Sequence, residues 1–165
     1  MKRVNLSTLL SDHALSLRRE RQSLPIPLFL TIPLDLPSFS WIDGSLEALI
    51  VAVCDWAVIK SHPERSVRVA VSRRSHISDL SELLQFYPSG WIQLKVDMQS
   101  PSELENDVRE KLKDLNYKCI DEWTNENSTS RLIAYGRENQ NHPQILFWIQ
   151  SHRASHRYIL LIPVN

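Results

Sequence analysis

Glycine is nearly missing from this 165-residue chain: only Gly44, Gly90 and Gly136 occur, and each stands alone. Dinucleotide fingerprints, phosphate loops and the nucleophile elbow of α/β-hydrolases all need two or more glycines at fixed spacing, where backbone must approach a phosphate or turn sharply. Those classes are excluded. Cysteine is also scarce, and the two present, Cys54 and Cys119, are too few for a disulfide framework and read as ordinary reduced thiols. Net charge is absent, with 19 basic side chains against 19 acidic ones, so no global field draws the chain to nucleic acid or anionic lipid. No apolar run approaches the roughly 20 residues of a membrane-spanning helix. The stretch from Met1 to Arg21 alternates apolar with polar residues and lacks the continuous apolar core of a secretory signal. A cytoplasmic protein with no membrane partner is expected, and Asn127-Ser128-Thr129 then reads as a polar turn rather than a glycan acceptor.

What is present is a core: 42% of the residues are apolar, and a chain of this length can bury about two-thirds of its unfolded surface without metals or disulfides. A single domain over 1–165 is expected, with no internal repeat or low-complexity segment. Leu6, Leu9, Leu10, His13 and Leu17 share one face of an amphipathic helix from about Ser7 to Arg21. Ile26 to Ile32 reads as a strand, and its internal proline puts it at a sheet edge or strand start. Asp43-Gly44-Ser45 starts a helix that carries Leu46, Leu49, Ile50, Val53 and Ala57 to about Lys60. Val67–Val71 and Trp91–Val96 alternate with period two and read as strands, with helical turns between Ile77 and Phe86. Ser102 as cap, Glu105 three residues on, and Leu104, Val108, Leu112 and Leu115 on one face signal a further helix. Tyr117–Trp123, Arg131–Tyr135, Gln144–Ile149 and Tyr158–Ile162 read as strands joined by Asn- and Ser-rich turns. The order predicts an α+β, two-layer sandwich with helices on one face of a mixed, mostly antiparallel sheet.

This order resembles the ATP-binding domain of sensor histidine kinases, in the superfamily that includes gyrase, Hsp90 and MutL. Five pieces carry the resemblance: Val4 to Leu10, the edge strand Leu24 to Ile32, Trp41 to Ile50 leading into the nucleotide-binding helix, Asp55-Trp56-Ala57 with Ser61 to Glu64 and the strand Val67–Val71, and the ending Tyr158 to Val164. Together they cover nearly the whole chain, although each is short and mostly apolar. The resemblance implies a Bergerat-type, histidine-kinase ATPase-like fold and a place in bacterial two-component signalling.

The polar positions depart from that family. Its first long helix presents asparagines one turn apart to a Mg²⁺ bridging the phosphates; those positions fall on Ala52, which has no ligand atom, and Trp56, whose indole N–H only donates. The Asp-x-Gly-x-Gly motif aligns with Asp97-Met98-Gln99-Ser100-Pro101, so the adenine-site carboxylate survives as Asp97 while both glycines are lost. Ser102 opens the next helix within a few residues of Asp97, leaving no length for a mobile lid. The resemblance therefore implies a nucleotide-free relative, with no catalytic residue, no cofactor and no metal, in which the Trp56 indole fills part of the space of a purine.

Other chemistry is thin. His62 reads as a loop histidine, since no Ser or Cys nucleophile stands in a recognised setting. The connection Ser151 to Arg157 gathers His152, Arg153, His156 and Arg157 between apolar strands; edge protection explains it, and contact with a partner is the functional alternative. Metal binding there would need a third ligand, for which only distant His142 offers itself. Asp121 with Glu122, and Glu103 with Glu105, are adjacent carboxylates to which no catalysis is assigned. Trp91 and Trp148 are expected in the core, and Trp41 as a staple ahead of its helix.

The reading is a catalytically inactive, interaction-mediating module whose partner is a protein, a kinase or a response regulator, with homodimer formation left open. An active ATP-binding domain of a sensor kinase or anti-sigma-like kinase is the alternative, with Mg-ATP as cofactor, Asp97 reading adenine and Asp55 or Glu47 the nearest carboxylates for Mg²⁺. A nucleic-acid-binding accessory using Arg18, Arg19, Arg21, Arg153 and Arg157 is a further one.

Overall fold

The computed structural model describes residues 2–12, 28–33, 36, 38–41, 43–60, 67–74, 90–98, 104–125, 129–137, 144–153 and 155–163. The expected helical turns between Ile77 and Phe86, the later part of the first helix, His62, His142 and Ser102 lie outside the described residues.

Helix α1, described over 6–12, begins where Asn5 Oδ1 accepts from the Thr8 amide at 3.1 Å as its N-cap, so the helix starts one residue ahead of Ser7. It buries Leu6 and Leu10. Helix α2 (Ser45–Lys60) starts as expected, because Asp43 Oδ1 accepts the Ser45 amide at 2.9 Å and Gly44 C=O accepts from Ala48. It buries Leu46, Leu49, Ile50, Val53 and Ala57 at 2% exposure or less. Helix α3 (Leu104–Asp114) buries Leu104, Val108 and Leu112 and keeps charged residues outward. It stops because Asn116 turns to φ 67°, letting the Asn116 and Tyr117 amides donate to the Lys113 and Leu112 carbonyls at 3.0 and 2.9 Å. That C-terminal motif drives Tyr117 back into the core, where it is 2% exposed.

The main sheet has seven strands among the described residues, in the order β2 (Leu28–Thr31), β4 (Val67–Arg74), β5 (Trp91–Met98), β9 (Ser155–Pro163), β8 (Ile145–His152), β7 (Ser130–Gly136) and β6 (Lys118–Thr124). Only β2 and β4 run parallel; every other pair is antiparallel. Alternation divides the sheet into two apolar faces. Val67, Val69, Val71, Ile92, Leu94, Val96, Ile133, Phe147, Leu160 and Ile162 form one core with the helices, and α2 packs against α3, β4 and β5. Trp91, Leu132, Ala134, Leu146, Trp148, Ile159 and Leu161 form a second buried cluster on the other face. This is the two-layer α+β sandwich that the element order implies.

Two short elements carry no signal in the sequence reading. β1 (Lys2–Val4) and β3 (Phe39–Trp41) pair antiparallel as a separate two-stranded sheet, which places Trp41 in a strand, buried in the core just ahead of α2. At the far edge β6 is exposed on both faces and bulges between Cys119 and Asp121, which interrupts the regular ladder of an otherwise open edge.

Candidate functional site

α2 carries apolar residues beyond its buried stripe, with Glu47 and Asp55 interspersed among them. Flanking its buried stripe, Ala48, Ala52 and Trp56 follow one another at one-turn spacing and are half-buried, Trp56 packing against the main core. At Ala52 and Trp56, where the family resemblance implies metal-holding amides, the helix presents a methyl group and an indole. Glu47 and Asp55, the carboxylates considered as substitutes, lie on the same helix, and both already make polar or electrostatic contacts. Among the described residues no three His, Cys, Asp or Glu side chains gather in a set that could hold a metal ion.

Asp97 is placed elsewhere. Its neighbours Val96 and Met98 belong to the helix-facing core, so strand alternation turns the Asp97 side chain to the other face. There it pairs across the ladder with Arg157, whose Nε donates to Asp97 Oδ1 at 2.7 Å. Asp97 therefore does not converge with Ala52 and Trp56; the sheet lies between them. Residues 99–103 alone separate the end of β5 from the start of α3.

The basic turn is more committed than its composition suggests. Arg157 serves Asp97, and the half-buried His156 places Nδ1 3.3 Å from Ser151 Oγ with its ring 6.3 Å from that of Tyr158. Arg153 is exposed at the hairpin tip with φ 54°, a left-handed conformation forced by the tight β8–β9 connection. The backbone of His152 pairs with Ser155 at the end of β8, and its side chain lies outside the described residues.

Two polar groupings escaped the sequence reading. At the start of α2, Tyr117 Oη accepts from Trp41 Nε1 at 3.2 Å and stands 2.8 Å from Ser45 Oγ, all three residues being buried. Arg137 completes the grouping, its guanidinium 4.8 Å above the Tyr117 ring and 2.8 Å from Asp43 Oδ2. The hydrogen bonds to Ser45, followed by the contact with Arg137, pull Asp43 down to about pKa 2. Asp43 just ahead of a helix was a visible signal; its distant partners Tyr117 and Arg137 were not. The second grouping joins α3 to the β6–β7 hairpin. Arg131 bridges Glu105 and Glu122 at 2.6 Å each, and Arg109 lies 3.6 and 3.9 Å from the same two carboxylates. The Arg131 hydrogen bond holds Glu122 below the usual carboxylate range. Glu105 and Glu122 are thus ion-pair partners of Arg109 and Arg131.

No protein-family model matches the sequence. No curated protein matches it either. Solved structures do. The chain is similar to the nucleotide-free catalytic domain of histidine kinase ThkA, with 11% identity, a TM-score of 0.53, and coverage of 99% of this chain and 95% of that one. It is similar to the Acinetobacter baumannii histidine kinase AdeS, with 8% identity, a TM-score of 0.56, and coverage of 99% and 67%. ThkA in complex with the response regulator protein TrrA matches at 8% identity and a TM-score of 0.53, covering 99% of this chain and 42% of that one. Identity at this level establishes a shared fold alone: the chain has the fold of histidine-kinase catalytic domains, as the sequence resemblance implied.

Proposed function

We propose that this chain is a catalytically inactive form of the histidine-kinase ATPase fold, acting as a protein-interaction module in bacterial signal transduction. The observation that carries the reading is the commitment of Asp97 to Arg157 on the sheet face away from α2. A carboxylate that reads adenine must be free and must face the pocket lined by the helix carrying the Mg²⁺ ligands; this one is paired and faces the other way. Ala52 offers no donor atom and Trp56 an N–H that cannot coordinate a cation. The residues present do not fit Mg-ATP, and no phosphoryl transfer is derived for them.

What the fold then offers is surface. The outward face of α3, the tip of the β8–β9 hairpin at Arg153 and the exposed strand β6 present exposed polar side chains, and they suit recognition of another protein. The partner class is a histidine kinase or a response regulator, a reading supported by the ThkA–TrrA complex on the same fold. The test is thermal unfolding with and without millimolar Mg-ATP. A ligand that binds the folded state raises the midpoint, so an unchanged midpoint is expected here, and a saturable rise would return the chain to the active ATP-binding alternative.

A further inference from the structure

Strand β6 ends the main sheet on one side among the described residues: it pairs with β7 alone, and all seven of its residues are exposed. Ile120, at 47%, and Trp123, at 36%, are the exposed large hydrophobics among the described residues, and both stand on this strand. An open edge with apolar side chains is a template for a further strand, most readily the same strand of a second copy.

The ladder shows where such a strand would bond. Hydrogen-bonded and non-bonded pairs alternate along antiparallel strands. The Ser151 amide donates to the Thr129 carbonyl at 2.8 Å, so by alternation Ile133 bonds to Phe147 of β8. Glu122, opposite Ile133 on the other side, therefore turns its own amide and carbonyl to the open edge. The Asn125 amide, which donates to the Ser130 carbonyl at 3.0 Å, gives β6 the same phase. That outward amide is already taken, because Glu122 N–H donates to Asp121 Oδ1 at 2.8 Å. The carboxylate is not drawn elsewhere: Asp121 makes no ion pair among the described residues. Just before it the register slips between Cys119 and Asp121, leaving Ile120 without a partner position on β7. Such a bulge bends the strand and breaks the regular row of outward groups.

We infer that Asp121 locks the β6 edge: its carboxylate caps the outward Glu122 amide and, beside the bulge at Ile120, keeps β6 from pairing with β6 of a second copy. A two-fold pair would give up the cap in both chains, so its loss counts twice. Contact with another protein at β6 then runs through the side chains of Ile120 and Trp123 rather than through an added strand. The lock does not depend on the roles of Ala52, Trp56 and Asp97.

The experiment follows hydrogen exchange of the Glu122 amide by NMR, and the mass of the intact chain by sedimentation equilibrium, from about 10 μM to about 1 mM in the wild type, Asp121→Ala and Asp121→Asn. In the wild type, exchange at Glu122 is independent of concentration. In Asp121→Ala the amide exchanges at least about fivefold faster in dilute solution. That variant also associates at a concentration at least about tenfold below any at which the wild type does, and the Glu122 amide regains protection in the associated form. Asp121→Asn removes the charge but keeps an accepting oxygen, and behaves as the wild type. Should Asp121→Ala not fold, Asp121→Val removes the acceptor in the same way. Unchanged Glu122 exchange or no association in the variant lacking the acceptor, equal association by Asp121→Asn, or wild-type exchange that slows with concentration overturns the inference.

Discussion

Asp97 on β5 and Arg157 on β9 stand directly opposite one another in an antiparallel ladder, and their side chains meet at 2.7 Å on the sheet face turned away from α2. Their side chains are 32% and 46% exposed, so the pair contributes little to stability. Its consequence is positional. It fixes the carboxylate away from α2 in a chain with the fold of histidine-kinase catalytic domains.

A larger energetic role falls to Tyr117, the buried hydroxyl shared by Trp41 and Ser45. Tyr117→Phe leaves the ring in place and strands the two groups that bond to it, so it should cost about 1–3 kcal/mol in urea denaturation. By contrast, Asp97→Ala should change stability by less than about 1 kcal/mol.

The Asp43–Arg137 pair sets an acid limit. Asp43 is lowered from 3.8 to about 2 in the folded chain, so its stabilising contribution is complete above about pH 4 and is lost as pH falls towards 2. Because its side chain is 45% exposed, solvent screening reduces that contribution to about 1 kcal/mol. Asp43→Asn should lower the unfolding midpoint at pH 6 and leave it nearly unchanged at pH 2, as followed by circular dichroism.

The two thiols should separate cleanly. Burial pushes Cys54 up to about pKa 12, whereas Cys119 is exposed on the edge strand. One thiol per chain should react with a disulfide reagent at pH 8 in the folded protein, and two after denaturation. Rapid labelling of both in the native state would contradict the packing of α2 against the sheet.

Much of the fold was legible because its long elements carry one clear period. Leu46, Leu49, Ile50, Val53 and Ala57 specify α2 whatever the tertiary setting, and Leu104, Val108 and Leu112 do the same for α3. β1 and β3 were illegible because each pairs only three residues with a segment far along the chain, and neither is long enough for alternation to show. The orientation of Asp97 was hidden for a different reason. β5 is apolar on both faces near its start, with Trp91 on one and Ile92 on the other, so the sequence does not tell which face meets the helices. The clasp at Tyr117 depends on where α3 ends relative to β6 and β7, a relation between distant segments that no local pattern encodes.

The most direct measurement is a calorimetric titration of the wild-type chain with ATP in millimolar Mg²⁺, repeated on Asp97→Ala. Neither protein should give saturable heat up to millimolar nucleotide. Micromolar binding by the wild type that disappears in Asp97→Ala would place a free, pocket-facing carboxylate at position 97 and contradict the account.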